Sequence, residues 1–473
     1  MKSKRDLWSG RFRKRLDPEA RAFSSSPEDA AIARHDIIGS IAHAMTLRRA
    51  GIISERESEE IVEALRSIYK EVSADAAEFL SGEEDVHMAV ERRLTSMSPA
   101  GPKLHTARSR NDQIALDLRL YVRENSLRMM RGIISLQKAL LRRASGERST
   151  VLPGYTHLQH AQPVYLSHHL LAHFNRLERD FRRIASDMDR NCFSPLGACA
   201  IAGTSHGIDV RYSSSLLGFP RHFSNSIDAT SDRDFVLDAC YSNAVTALHL
   251  SSMAEEFILW SSAEFSFIDI PDELSTGSSI MPHKKNPDMA EHIRGLASRP
   301  ISDLSGVATI LHSLPLGYAS DLQHVKRYLF DSFEVTSSLL SVASSFISSV
   351  RFNRERMREA ASDPLSYSVE IVDQLVQSGM AFREAHELVG RAVLKSLDTG
   401  KALSDVLSQA GVRANVPSVP EESVEMRGSE GGSSLESIRK QMRRASSVVE
   451  REGRELGAAE RRYERMVDTL LGK

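Results

Sequence analysis

Cysteine is scarce in this chain, and neither sign of charge predominates. Only three cysteines, Cys192, Cys199 and Cys240, occur among 473 residues. Their small, odd number and their lack of metal-ligand spacing predict reduced thiols, not a disulfide framework or a cysteine metal site. The 61 basic and 63 acidic residues nearly cancel. This balance argues against a nucleic-acid-binding protein, which would need a basic excess to neutralise phosphates.

Long apolar runs are absent as well. No stretch approaches the roughly 18 uninterrupted apolar residues that a membrane-spanning helix needs. Residues 1–23 are basic, but they include three acidic residues and lack the apolar core of a signal peptide. We therefore expect a chain that does not associate with membranes and that resides in a reducing compartment, the cytoplasm.

Glycine and proline are missing from two long stretches, residues 234–270 and 321–363. Because both residues interrupt helices, their absence favours long helices there. In residues 114–140 and 166–188, apolar residues recur every three or four positions, which is typical of an amphipathic helix. Strand-like alternation is scarce, and no glycine-rich dinucleotide motif follows a strand. The sequence predicts an all-α fold whose long helices form a bundle and bury apolar faces between subunits.

Helix-breaking residues divide the chain into three predicted domains. These are an N-terminal helical domain (1–107), a central long-helix domain with a catalytic loop (108–362) and a C-terminal helical domain (363–473). Residues 411–434 are rich in Pro, Ser, Gly and Glu and are predicted to form an exposed loop. The charged segment 435–471 is predicted to be a solvated helix.

Two polar segments lie beside the predicted long helices. Residues 105–113 place Arg108, Arg110 and Asn111 at a helix start, which suits an anion, although a simple helix cap with solvated charges is the alternative. Residues 154–163 contain His157 and His160 between helix breakers. A histidine can transfer protons near neutral pH, although a hydrogen-bonded structural histidine is the alternative.

A third polar segment, residues 277–288, is predicted to be a mobile loop because it contains glycine, serine and two prolines. A serine hydroxyl becomes a base only where positive charge and oriented donors stabilise its alkoxide. The loop offers Ser278 and Ser279 together with Lys284 and exposed backbone N–H groups. A flexible surface loop is the alternative, but its apolar residues Ile280 and Met281 and its specific polar pattern disfavour it.

This third segment resembles the signature loop of the fumarase/aspartase superfamily, and the whole chain resembles the argininosuccinate lyase family. The supporting segments are residues 8–12 (WSGRF), 84–88 (EDVHM), 108–113 (RSRNDQ), 154–163 (GYTHLQHAQP), 231–235 (SDRDF), 275–288 and 382–386 (FREAH). The resemblance implies an all-helical homotetramer with active sites shared between subunits. It also implies reversible β-elimination of the small molecule argininosuccinate to L-arginine and fumarate, without a metal or organic cofactor.

The same resemblance assigns roles to individual residues. Ser278 matches the catalytic base, His157 the residue linked to general-acid work, and Glu291 the carboxylate that pairs with this histidine. The remaining matches are substrate-binding positions, of which the last three hold the arginine side of the substrate: Ser26, Arg110, Asn111, Thr156, Ser279, Lys284, Asn286, Tyr318, Gln323 and Lys326.

The chain departs from the family pattern at several positions near these residues. Ala107 stands where a glycine is common, His283 stands where glutamine is usual, and residues 319–328 lose two usual acidic residues. Two alternatives stay open, and the altered segment 319–328 is the only support for the first. One is another fumarate-releasing lyase of the superfamily, of the adenylosuccinate lyase or aspartase type. The other is a structural protein like the lens crystallins that derive from this family.

Overall fold

A computed structural model describes residues 17–473 of the chain, so the motif at residues 8–12 lies outside the described residues. The predicted all-α fold is confirmed, because the described part is built from helices joined by loops and four short strand pairs. No helix among residues 17–473 combines the length and apolarity that crossing a lipid bilayer requires. The three cysteines are unpaired, as predicted.

Short and medium helices form the N-terminal part. They are α1 (Pro18–Ser24), α2 (Ala33–Arg49), α3 (Glu55–Ala74), α4 (Ala76–Leu80) and α5 (Val86–Met97), with 3₁₀ turns at Pro27–Ile32 and Gly101–His105. Helix α2 is buried on nearly every side, because it lies between α3 and the first long helix of the central part.

Long helices dominate the central part. They are α6 (Arg110–Gly146), α7 (Leu166–Arg190), α8 (Val210–Leu216), α9 (Ser226–Ser231), α10 (Asp234–Ser261), α11 (Asp288–Leu296), α12 (Ser298–Leu311), α13 (Val325–Ser349) and α14 (Arg354–Ala360). Helix α6 has 37 residues, so it is about 55 Å long. A capping box of Ser109 and Asp112 starts it, and it packs against α7 and α13.

The C-terminal part contains a second, smaller core. Its helices are α15 (Ser368–Gln377), α16 (Phe382–Thr399), α17 (Leu403–Gln409), α18 (Pro420–Glu425) and α19 (Leu435–Leu471). Buried side chains of α15, α16 and α17, including Ile371, Val389 and Leu403, form this core apart from the main one. The predicted domain boundaries stay a prediction.

Two C-terminal predictions need correction. The segment 411–434 is not a continuous loop, because α18 lies within it and buries Val424. Helix α19 exists as predicted but is not wholly solvated, since it packs against α6 and α7 and buries Ile438, Val448 and Leu456. Most of its charged residues occupy the outer face of this amphipathic helix, whereas Glu452 is buried and accepts a hydrogen bond from Gln137.

Short strands, which the sequence analysis did not predict, hold the second and third polar segments. The strands are β1 (Val151–Thr156), β2 (Gln159–Tyr165), β3 (Phe193–Ser194), β4 (Arg221–His222), β5 (Ile268–Asp269), β6 (Thr276–Gly277), β7 (Lys285–Asn286) and β8 (Arg351–Phe352). The antiparallel pairs β1–β2 and β6–β7 enclose the second and third polar segments, respectively. The second segment therefore forms most of a hairpin with His157 and Leu158 at its turn, and the third segment contains the tip of a smaller hairpin.

Candidate active site

The loop at residues 276–288 is a small hairpin with an exposed tip. Pairing of Thr276 with Asn286 and of Gly277 with Lys285 closes its base, and a hydrogen bond from Thr276 to Asp288 reinforces it. Lys285 Nζ is bound to Asp269 (3.1 Å) and Asp272 (2.9 Å). These contacts fix the base of the loop and leave residues 278–284 as its tip.

Ser278 occupies the first position of this tip and is surrounded by backbone donors. Its Oγ accepts hydrogen bonds from the N–H groups of Ile280 (3.3 Å) and Met281 (3.0 Å). Two N–H groups aimed at one oxygen stabilise negative charge on that oxygen, as oxyanion donors do. The geometry therefore favours an alkoxide at Ser278 over one at an ordinary surface serine.

Lys284 lies at the other end of the same tip. Its side chain is exposed, and within residues 17–473 no carboxylate lies at ion-pair distance from its Nζ. Its neighbour Lys285 is held by two aspartates, so the two lysines differ sharply in availability. Ser279 is exposed as well, and Asn286 is half-buried in strand β7. Lys284 is thus a cation free to bind an anionic group.

His157 forms the turn between β1 and β2. It and Leu158 both have positive φ, 56° and 57°, which is the conformation that a two-residue hairpin turn requires and that Asn-Gly normally supplies. A non-glycine residue there costs about 1–2 kcal/mol. The exposed imidazole, next to the exposed Thr156, is therefore held at a strained hairpin tip. Such strain is characteristic of functional positions.

His157 and Glu291 do not meet within one subunit. Glu291 lies on the exposed face of α11, where its nearest cationic partner in the described chain is Arg294, 3.9 Å away. The His157 hairpin contacts other parts of the subunit through its strands, for example between Tyr155 and Phe265 and between Tyr165 and Glu425, and no contact with Glu291 occurs among the described residues. The pairing that the family resemblance assigns to these two residues stays a prediction that needs a second subunit.

The predicted substrate-binding residue Ser26 and those of the 318–326 segment do come together. Ser26 Oγ donates a hydrogen bond to Gln323 Oε1 (3.0 Å), and Tyr318 is hydrogen-bonded to Gln323. Lys326, in the first turn of α13, forms a buried ion pair with Asp29. Ser26, Asp29, Tyr318, Gln323 and Lys326 form what we call the inner cluster.

Burial controls the electrostatics of the inner cluster. Burial raises the pKa of Asp29, and Lys326 opposes this shift through charge and a hydrogen bond. Burial also raises the pKa of Tyr318. Behind Tyr318 lies Arg233, which is 2% exposed and whose pKa burial lowers to about 10. Its Nε and Nη2 atoms have no hydrogen-bond partner among the described residues.

Arg110 and Asn111, at the start of α6, are both engaged. Arg110 Nη1 lies 2.9 Å from Asp85 and 3.7 Å from Glu84, so nearby carboxylates already compensate its charge. Asn111 Nδ2 donates to the carbonyl of Ala200 (3.0 Å). Asp112 accepts from the N–H groups of Gly197 (3.0 Å) and Cys199 (2.9 Å). The α6 start thus organises the loop around residue 200.

Sequence reasoning missed Asp29 and Arg233 as parts of this region. Arg233 lies in the segment 231–235, which supports the family resemblance, but the sequence analysis assigned no role to it or to Asp29. The sequence analysis gave Lys326 only as a substrate-binding position, so it had no reason to expect the carboxylate partner that a buried lysine needs. No local signal marks Arg233 either.

Comparisons with known proteins identify the family of the chain. A family model described as "Lyase" matches residues 10–301, and one described as "Argininosuccinate lyase C-terminal" matches residues 366–421. The argininosuccinate lyase of Symbiobacterium thermophilum is 43% identical over 457 residues, which cover 94% of this chain and 99% of that protein.

Solved structures give the same picture. An EDDS lyase variant with bound fumarate has a TM-score of 0.84 and 26% identity, covering 97% of this chain and 95% of that one. Class II fumarase from Schistosoma mansoni shares the fold, with a TM-score of 0.70 and 18% identity over 83% of this chain and 89% of that chain.

The fold and these matches define an enzyme, a lyase of the fumarase/aspartase superfamily. Within that superfamily, the chain belongs to the argininosuccinate lyase family.

Proposed function

We propose that this chain catalyses the reversible β-elimination of argininosuccinate to L-arginine and fumarate. The observation that carries the proposal is Ser278, whose oxygen accepts two backbone N–H bonds on a loop that also presents the unpaired Lys284. Family membership supplies the substrate, because relatives that match nearly the whole chain are argininosuccinate lyases.

The reaction requires three events, which the site residues divide among themselves. Ser278 removes a proton from the carbon next to a substrate carboxylate, and negative charge then spreads onto that carboxylate. Lys284, Asn286 and Ser279 bind the carboxylate and stabilise this charge. The carbon–nitrogen bond then breaks, its electron pair leaves with the guanidinium nitrogen, and a proton reaches that nitrogen.

His157 and Glu291 serve the protonation of the leaving nitrogen. A carboxylate beside an imidazole orients the ring and favours its protonated form. Thr156 and Asn111 contact the substrate near the reacting bond. The arginine side of the substrate binds at the inner cluster through Ser26, Tyr318, Gln323 and Lys326, with Arg110 at its edge.

We also propose that the enzyme is a homotetramer whose active sites combine segments of different subunits. The turn of the strained His157 hairpin and the tip of the Ser278 loop are both exposed in the single subunit, so a neighbouring subunit can reach them. Helix α10 exposes half of Tyr241 and half of Leu248, and such apolar side chains on a bundle helix favour a partner helix. A cytoplasmic location fits the unpaired cysteines.

A second candidate is a lyase that releases fumarate from a different substituted succinate. The altered segment 319–328 favours it, because Val325, where the resemblance places an acidic residue, is fully buried, and His324 is exposed beside Gln323. The likeness to EDDS lyase points the same way.

Fumarate absorbance separates these candidates when argininosuccinate, adenylosuccinate, aspartate and EDDS are offered separately. Fumarate from argininosuccinate, with the highest kcat/KM of the four, supports the proposal. A higher kcat/KM with another substrate favours the second candidate. No fumarate from any of the four, with a folded assembly, favours the crystallin-like structural alternative.

A further inference from the structure

Two histidines and a glutamate converge between α7 and α10, away from the residues to which we assign catalysis. His169 and His173 lie one turn apart on α7, and Glu256 faces them from α10. The Nε2 atoms of both rings lie close to the same carboxylate oxygen, Glu256 Oε2, at 2.6 Å for His169 and 2.9 Å for His173. The three ligand atoms thus share one small volume.

We infer that His169, His173 and Glu256 bind a divalent late transition metal of the Zn²⁺ class. Two imidazoles at helical spacing i and i+4 with one carboxylate are a donor set that such ions prefer. Calcium and magnesium are disfavoured, because they prefer oxygen ligands.

The site is accessible yet ordered. In the single subunit, the side chains of His169 and Glu256 are 29% and 32% exposed, whereas that of His173 is 6% exposed. A hydrated ion can therefore enter from one side and keep water on its open face. The ring of His169 packs against Trp260, with 5.0 Å between centroids, and this contact restricts its orientation.

A second cluster, Asp36, His87 and Asp117, lacks these properties. Its three side chains are only 1–7% exposed, so a bound ion would have no open face for water. Arg108 adds positive charge beside these carboxylates. A metal ion would compete there with this guanidinium, so we assign the metal to the α7–α10 site alone.

A bound ion would join two segments that lead to the catalytic residues. His169 lies four residues after β2, which follows the His157 turn. Glu256 lies in the last two turns of α10, whose chain continues through β5 to the Ser278 loop. The expected role is structural, so occupancy should raise thermal stability without taking part in proton transfer.

Metal binding can be tested directly on the full-length protein. After chelator treatment and removal of the chelator, the protein is dialysed against Zn²⁺ and the bound metal is quantified, and Tm is measured with and without Zn²⁺. We expect stoichiometric binding and a Tm rise of a few degrees, because the ion binds only the folded state. Glu256→Gln and His173→Gln should lose both effects.

A matched control and a spectroscopic signature localise the ion. His168→Gln changes the histidine adjacent to His169 on α7 but outside the cluster, so it should retain binding. In a Trp8→Phe background, Trp260 is the remaining tryptophan of the chain, and Co²⁺ bound at His169 should quench its fluorescence. Unchanged binding in both Glu256→Gln and His173→Gln, or no Zn²⁺ bound by the parent protein, would overturn the assignment.

Discussion

The inner cluster and the Ser278 loop are built in opposite ways. The inner cluster is buried and internally paired, with the Lys326–Asp29 ion pair and the Ser26–Gln323 hydrogen bond already formed in one subunit. The tip of the Ser278 loop is exposed, and Lys284 stands there without a partner among residues 17–473. Under the proposed function, the inner cluster is preorganised to recognise a substrate, whereas the loop presents groups that a substrate and neighbouring subunits would complete.

The comparison implies that substitutions in the loop cost activity, whereas substitutions in the inner cluster cost stability as well. An exposed side chain contributes little to the free energy of unfolding, but breaking a buried ion pair leaves a charge without compensation.

The largest expected effect is that of Ser278→Ala on turnover. Loss of the base should reduce kcat by about 10²–10⁴-fold, the usual contribution of general acid–base catalysis, while Tm and assembly stay close to those of the parent. Fumarate absorbance and thermal unfolding measure the two quantities. Ser279→Ala is the matched control and should lose much less activity. A mild effect of Ser278→Ala would place the base elsewhere.

Lys326→Met should destabilise the fold by about 3–5 kcal/mol, because Asp29 remains buried without its counterion. Denaturant unfolding measures this loss. The double variant Asp29→Asn/Lys326→Met should recover part of it, since no buried charge is left. Lys284→Met on the exposed loop should leave the unfolding free energy nearly unchanged while raising KM and lowering kcat. Equal stability losses in the two lysine variants would refute the contrast between the regions.

The contact between α12 and α13, the helix that carries Lys326, should make the stability of the protein depend on pH. Asp303 on α12 is 7% exposed and faces Asp331 on α13, which Arg299 also binds. Burial is the largest cause that raises the pKa of Asp303, to about 7, and the neighbouring Asp331 raises it as well. Arg299 and Arg327 act in the opposite direction. The folded state therefore holds a proton that the unfolded chain releases near its ordinary pKa of 3.8.

Stability should accordingly fall as pH rises from about 4 to about 7, at up to about 1.4 kcal/mol per pH unit from this group. Asp303→Asn should remove that contribution, so its Tm should exceed the parent's above pH 7. The control Asp398→Asn changes an exposed aspartate and should leave the pH profile of Tm unaltered. Identical profiles for the parent and Asp303→Asn would contradict the assignment.

The smallest expected effect concerns Ala107, just before α6. Its φ is 59°, a left-handed conformation in which an L-residue is strained. Ala107→Gly should therefore raise the unfolding free energy by up to about 1 kcal/mol. Ala308→Gly, inside α12, should lower it by about 1 kcal/mol. A loss of stability in Ala107→Gly would show that the strain is relieved by other contacts.

The long helices could be predicted from the sequence because their signal is local. Apolar spacing and the absence of glycine and proline between residues 234 and 270 mark α10 without any tertiary information. The β1–β2 hairpin was missed because Pro153, Gly154 and Pro163 suggest helix breakers, whereas Pro153 and Pro163 are paired across its strands. Residues that break helices are compatible with a two-stranded hairpin whose edges need no further pairing.

Sequence patterns could predict which site residues lie close together only where these residues share one short segment. Ser278 and Lys284 belong to a single loop, so the sequence alone placed them together. The Lys326–Asp29 pair joins positions 297 residues apart, and such a pair depends on how α13 packs against the N-terminal turn. The Nε and Nη2 atoms of Arg233, which lack a hydrogen-bond partner among the described residues, likewise reflect burial, which local sequence patterns do not reveal.

The central claim is that the His157 hairpin and the Ser278 loop of different subunits form one active site. Two inactive variants, His157→Asn and Ser278→Ala, test it when they are mixed, dissociated and reassembled. Random mixing should restore activity to about a quarter of the parent value, because each site draws its two segments independently from a symmetric assembly. The control mixture of Ser278→Ala with Lys284→Met, both on one loop, should stay inactive. No recovery in the first mixture, with mixed assemblies verified, would contradict the account.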